Sequence, residues 1–296
     1  MGVVRVVGRP VVAVLSTGDE LTDAGGWADG SPAAAPPTIA PLAPGRVYDA
    51  NRPLLLASAA AAGAAVVDLG IAPDDARAVE AALDAALASD AHILVTTGGV
   101  SMGATDAVKP ALAARGTIHF GKCCMKPGKP LTFATLGRPS PRLPLLVFGL
   151  PGNPASAAVT FALVVGPAIR ALAGWAHARP RRVHVRTEAG IKLDPERPEY
   201  HRAVLAWTNA PPSGTPVPAS LDGASPTGLP APGWFTASST GGQISSRLGS
   251  VRGATALLEL PARAGVLPAG SVVSALLVGD VGGMPVMEVV AGTPGL

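Results

Sequence analysis

Ile93-Leu-Val-Thr-Thr-Gly-Gly-Val-Ser-Met-Gly-Ala-Thr-Asp-Ala-Val-Lys109 is the stretch whose reading decides the fold. Ile93 to Thr97 is short, apolar and rich in β-branched residues, the texture of a strand buried on both faces of a parallel sheet. The run stops at Gly98-Gly99, and Gly103 follows. Thr105 or Asp106 then caps a helix predicted to run to about Arg115, which Gly116 ends. Strand, glycine-rich turn and helix start together make an anion site, because glycines admit a phosphate close to the backbone and free N–H groups favour negative charge. A carboxylate there repels phosphate unless a cation lies between, so Asp106 reads as a candidate Mg²⁺ ligand.

Working outward, the same grammar repeats. Val11 to Ser16 is a second buried strand, ending in Thr17-Gly-Asp-Glu-Leu21. Residues 24–44 are rich in Pro, Ala and Gly and read as a loop insertion without regular structure. Val47-Tyr-Asp-Ala-Asn51 precedes an Ala/Leu-rich helix over about 51–62, capped by Asp49 or Asn51. Residues 64–69 form the next strand, and Pro73-Asp-Asp75 starts a helix to about Ser89. Short strands are expected at 117–120, 131–136 and 145–148, with Lys122-Cys-Cys-Met-Lys-Pro-Gly-Lys-Pro130 between the first two. Gly149-Leu-Pro-Gly-Asn-Pro-Ala-Ser156 then opens an apolar helix to about Ala173, with Asn153 as N-cap and Pro154 in the first turn.

Alternating strands and helices predict a three-layer α/β/α domain with a mostly parallel sheet over residues 1–175. Beyond Gly174 no helical period appears, and five short strands predict a small all-β, barrel-like domain over 180–296 with an exposed loop at 209–233. Ligands of open α/β sheets bind outside the carboxyl ends of the strands. The loops at 17–20, 98–106 and 149–156 are therefore expected to gather there, overhung by the lysine loop 122–129. Asp19, Glu20 and Asp106 are candidate Mg²⁺ ligands, while Lys126, Lys129 and the helix starts neutralise an oxyanion.

Composition removes other classes. At 296 residues, 48% hydrophobic and 15% charged, the chain is globular, and a net charge of +3 argues against a nucleic-acid partner. No apolar run is expected to reach the length needed to span a bilayer; the longest candidate, Leu54 to Val67, is broken by Gly63. No signal peptide is visible, and the adjacent Cys123 and Cys124 fit a reducing, cytoplasmic setting. Only five of the 23 basic residues are lysines, yet four of those lie between 109 and 129. In so Arg-rich a chain, that clustering points to contacts that want a compact ammonium.

Taken in order, Thr17-Gly-Asp-Glu-Leu21, Tyr48-Asp-Ala-Asn51, Gly98-Gly-Val-Ser-Met-Gly103 with Asp106, Met125-Lys-Pro-Gly-Lys-Pro130 and Leu150-Pro-Gly-Asn-Pro154 resemble the molybdenum insertase family. That family comprises MoeA of bacteria, the E domain of gephyrin and the plant and algal insertase. Pro198-Glu-Tyr-His-Arg202 and Ser239-Thr-Gly-Gly-Gln-Ile-Ser-Ser-Arg-Leu248 resemble the plant-type C-terminal subdomain. The resemblance implies insertion of molybdenum, supplied as molybdate, into the dithiolene of adenylylated molybdopterin, with Mg²⁺ required and AMP released. It implies catalytic roles for Asp106, Glu20 and Asp19, the first two as metal ligands. It implies contacts to the substrates from Gly98, Gly99, Ser101, Gly103, Lys126, Lys129, Pro151, Gly152, Asn153 and Ser156, with Arg202 and Ser245 or Ser246 adding contacts from the tail. An upstream molybdopterin adenylyltransferase and a homodimer of the full-length protein are the implied partners.

The chain departs from the family in two places. Ala104 stands where an acidic residue is common, and sixteen residues precede Thr17 where the family has about a domain. Two other readings are a molybdopterin adenylyltransferase, which shares the α/β fold, and a non-catalytic, gephyrin-like scaffold or fragment.

Overall fold

The computed structural model describes residues 3–4, 6–23, 41–100, 107–208 and 233–279, and the short strands Trp27–Ala28, Ser31–Pro32 and Val286–Met287. The chain divides into two compact units, Met1–Arg179 and Pro180–Leu296.

The first unit is built on six strands: β1 Val11–Thr17, β2 Ala65–Ala72, β3 Ile93–Thr97, β4 Gly116–Phe120, β5 Thr132–Leu136 and β6 Leu145–Leu150. They lie in the order β2-β1-β3-β6-β5-β4. The first four are mutually parallel, and β5 and β4 add on antiparallel. All five residues of β3 are buried. A strand covered on both faces carries apolar side chains on both, which is why it reads as a run and not as an alternation. One face packs on helices α2 (Ala76–Ala88) and α3 (Val108–Arg115), through Val79, Leu83, Val108 and Leu112. The other packs on α1 (Asn51–Ala61) and α4 (Pro154–Leu172).

Helix α4 corrects the estimate of the longest apolar run. Pro154–Leu172 is long and apolar enough to cross a membrane by length and composition, but half of it is buried within the unit. Ala157, Phe161, Val165 and Ile169 recur every four residues and enter the core beside Val12, Val14 and Val95. That row identifies a core helix. Within it, Phe161–Val165 forms a π-helical turn.

Local capping follows the Asp49 expectation at α1 and departs from expectation at α4. At α1 the Asp49 Oδ1 accepts from the amides of Asn51 and Arg52, each at 3.1 Å. Asn51 is thereby free to point elsewhere. Asn153 precedes α4 but makes no side-chain capping bond. In the insertion expected to lack regular structure, Trp27–Ala28 pairs antiparallel with Ser31–Pro32.

The second unit comprises β7 Arg182–Thr187, β8 Glu199–Thr208, β9 Trp234–Ser239, β10 Ala256–Leu260, β11 Val272–Leu277 and β12 Val286–Met287. The order β9-β7-β11-β10-β8 closes through a direct β8–β9 pairing, giving a five-stranded barrel; β12 pairs alongside β8. Its core holds Val185, Ala203, Leu205, Ala237, Leu258 and Ala275. Closure removes the free strand edges that an open sheet of this size leaves exposed.

Candidate functional site

Strands β1, β3 and β6 end side by side, and their last residues place the site. Gly98 has φ +89° and Gly99 φ +61°, a region L side chains rarely adopt. Space forbids a side chain as well: a Cβ on Gly98 would lie 2.4 Å from the Thr17 carbonyl oxygen, and one on Gly99 would lie 2.6 Å from Val108 Cγ2. Backbone therefore packs on backbone here, and the loop after β3 is pressed between the end of β1 and the start of α3. Gly98→Ala is expected to destabilise the unit by about 1–3 kcal/mol, the usual scale for overpacking. Thermal melting of the variant checks this, and an unchanged midpoint would refute the close approach.

Asn51 ties the loops together. Its Nδ2 donates to Thr97 Oγ1 and to the Gly152 carbonyl, both at 2.8 Å, and Thr97 Oγ1 donates to the Pro151 carbonyl at 3.2 Å. The first residue of α1 thus holds the loop after β6 against the end of β3. Behind it, the buried Arg52 guanidinium bonds Asp23, Asp49 and Asp68.

Between the loops lies a cleft of about 240 Å³. Gly98, Gly99, Pro151 and Gly152 border it, with Glu20 from the loop after β1 and Pro130 from the lysine loop. Ser16, Thr17, Asn51 and Asp74 also line it. The hydroxyls of Ser16 and Thr17 are buried without a hydrogen-bond partner among the described residues. Two unsatisfied hydroxyls beside a glycine turn suit the oxygens of a bound anion.

The remaining expected residues fall elsewhere. Asp19 is exposed, and its Oδ1 accepts from the Asp74 amide at 3.1 Å, joining the loops after β1 and β2. Lys126 is half-buried and Lys129 exposed, and neither borders the cleft. Their loop closes on itself, with the Cys123 amide donating to the Lys129 carbonyl at 2.9 Å. Ser156 is buried in the first turn of α4, and Asn153 is exposed. Ser101, Gly103 and Asp106 lie outside the described residues. Among the described residues no group of three or more His, Cys, Asp or Glu side chains is arranged to hold a metal. Glu20 and Asp74 are the carboxylates that border the cleft.

In the second unit, Arg202 is 1% exposed on β8, and none of its three guanidinium nitrogens has a partner among the described residues. Burial pushes its pKa down, opposed in part by Glu199. Ser245 is half-buried and Ser246 exposed in a nearby turn of the sequence.

Comparison with known proteins shows the family and the fold. Residues 13–171 match the model of a probable molybdopterin binding domain. The chain is 36% identical to gephyrin of Dictyostelium discoideum, over 92% of this chain and 37% of that protein. It is 39% identical to a molybdopterin molybdenumtransferase of Nostoc sp., over 67% of this chain and 42% of the relative. The chain thus spans less than half the length of these curated relatives. In structure it resembles the MoeA molybdopterin biosynthesis protein of Pyrococcus horikoshii, with a TM-score of 0.64, 22% identity, and coverage of 92% of this chain and 55% of that one.

Proposed function

The chain belongs to the molybdopterin-binding-domain family, and on that premise we propose that it is the substrate-handling part of a molybdenum insertase. Its substrates are adenylylated molybdopterin and molybdate, and its reaction places molybdenum in the dithiolene and releases AMP. The observation that carries this reading is the cleft at the carboxyl edge of the sheet, where a glycine turn and two unpartnered hydroxyls face one space.

In this reading the backbone N–H of Gly99 and the hydroxyls of Ser16 and Thr17 bind phosphate oxygens, while the Gly98 amide is taken by the Leu150 carbonyl at 3.3 Å and fixes the turn. Asn51 keeps the two loops in register. Lys126, Lys129 and Ser156 serve the oxyanion in the first unit, and within the second unit Arg202, Ser245 and Ser246 are the residues suited to an oxyanion. The carboxylates bordering the cleft suit Mg²⁺, a hard cation held by one or two carboxylates together with substrate phosphate. Glu20 and Asp74 would hold it, joined by Asp106, and when bound it neutralises phosphate charge. The substrate comes from an upstream molybdopterin adenylyltransferase, and the full-length protein is a cytoplasmic homodimer.

The test supplies adenylylated molybdopterin, molybdate and Mg²⁺ and follows AMP. Asp106→Asn keeps the size and removes the charge, so AMP release is expected to fall while the melting point stays. Equal release from the variant would remove Asp106 from the mechanism. Formation of adenylylated product from molybdopterin and ATP would instead identify an adenylyltransferase.

A further inference from the structure

Three polar residues meet in the barrel apart from any role given above. Glu199 and His201 belong to the row of β8 that continues inward as Ala203 and Leu205. Ser239 ends β9 two residues past the core residue Ala237, and it pairs with Ala203. Side chains alternate across a strand, so all three project toward one mouth of the barrel. His201 Nδ1 lies 3.0 Å from Glu199 Oε1, and Nε2 lies 2.8 Å from Ser239 Oγ. Glu199 and His201 are buried, whereas Ser239 is exposed.

The order of these contacts sets the proton. A carboxylate on Nδ1 keeps the hydrogen on that nitrogen, which leaves the Nε2 lone pair facing the serine hydroxyl. This is the relation of orienter, base and nucleophile required for acyl transfer, and it is recognised by geometry and not by chain order. The Gly241 amide donates to the same hydroxyl at 3.2 Å, whereas Gln243 Nε2 is engaged by the Arg202 and Gly241 carbonyls at 3.1 and 3.2 Å. An amide placed as that of Gly241 is within reach of an anion developing beside Oγ. A polar network that only plugged the barrel would gain nothing from an exposed hydroxyl at its outer end.

We propose that Glu199, His201 and Ser239 form a second, esterase-like site, with Ser239 as nucleophile toward small acyl esters. Ser239 Oγ bonds to the carbonyl carbon as its proton passes to His201 Nε2. The ester C–O bond breaks, and the alcohol leaves with that proton. Water, giving a proton to the same nitrogen, then attacks the acyl carbon; the bond to Oγ breaks, the acid is released and the hydroxyl regains its proton. Ester and water become acid and alcohol, with no redox change.

The test treats the full chain with a fluorophosphonate and maps the modified peptides, alongside hydrolysis of p-nitrophenyl acetate. Ser239 is expected to be modified at least tenfold faster than the exposed Ser246. His201→Gln is expected to slow that modification at least tenfold. Ser239→Ala, a change at an exposed position, is expected to abolish the corresponding share of ester turnover while the melting point is kept. Labelling of Ser239 no faster than of Ser246, or at the same rate in His201→Gln, would overturn the proposal and leave a structural plug. AMP release depends on the other unit's cleft, so this proposal and the insertase reading fail separately.

Discussion

Replacing Arg52 with Met is expected to destabilise the α/β unit by about 3–5 kcal/mol, the cost of breaking a buried ion pair from one side. The Arg52 side chain is 6% exposed and bonds three carboxylates: Asp23 at 2.6 Å, Asp49 at 3.2 Å, and Asp68. Of these, Asp49 decides the magnitude, because its side chain is 1% exposed and has no recourse to water. Burial alone would lower the Arg52 pKa, but Asp68, Asp23 and Asp49 together outweigh it and hold the guanidinium above its ordinary value. Without that cation, Asp49 remains as a buried carboxylate supported by the first amides of α1. Adding Asp49→Asn removes the stranded charge and keeps an acceptor for those amides, so the double variant is expected to regain more than half of the loss. Thermal melting of the two single variants and the double variant closes the cycle. A unit of this size loses roughly 2–4 °C per kcal/mol. A shift of less than 2 °C in Arg52→Met would show that the three carboxylates are satisfied by water.

That cluster also shows where sequence reading stops. Asp23, Asp49, Arg52 and Asp68 are spread over 46 positions and share no local signature; only the parallel pairing of β1 with β2 and the packing of α1 bring them together. The α/β architecture, in contrast, was legible. Val11 to Leu15 and Ile93 to Val95 are unbroken apolar runs because both faces of a central parallel strand are covered. The glycines that follow were legible too, since only glycine fits between Thr17 and Val108.

Part of the cleft was within reach and went unused. Ser16 and Thr17 are polar residues closing an otherwise apolar strand, and that break in texture marks a carboxyl strand end, the edge at which open α/β sheets bind ligands. Asn51 was visible in its motif, but its link to Thr97 and Gly152 depends on contacts 46 and 101 residues away. Asp74 lacked any motif. In the second unit, Tyr200 to Trp207 reads as one strand, yet the observed strand Glu199–Thr208 pairs with β10 through its first half and with β9 through its second. Such a change of partner, which closes the barrel, leaves no trace in hydrophobic period.

Arg202 carries the other large expectation: Arg202→Met should leave the protein as stable or raise its stability by about 1–4 kcal/mol, and on the proposed reading should weaken oxyanion binding. The backbone of Arg202 is held firmly. Its amide donates to Gln243 Oε1 at 2.9 Å, and its carbonyl accepts from the Thr240 amide at 3.1 Å, Thr240 Oγ1 at 3.2 Å and Gln243 Nε2 at 3.1 Å. The guanidinium, by contrast, has no partner among the described residues although the side chain is almost wholly buried. Burial lowers its pKa and Glu199 offsets only part of that, yet arginine does not lose its proton in proteins, so the desolvation cost stands at every working pH. A planar cation with unsatisfied donors is matched by a tetrahedral oxyanion through paired hydrogen bonds. Molybdate is therefore expected to raise the melting point of the wild type, on the order of 2.7 kcal/mol of stabilisation at a hundredfold excess over Kd. In Arg202→Met that shift should shrink by at least tenfold in apparent affinity, even where the variant melts higher without ligand. Sulfate and chloride controls separate oxyanion binding from ionic strength. If Arg202→Met unfolds more readily and molybdate stabilises both proteins alike, the guanidinium is a structural cation and not an oxyanion ligand.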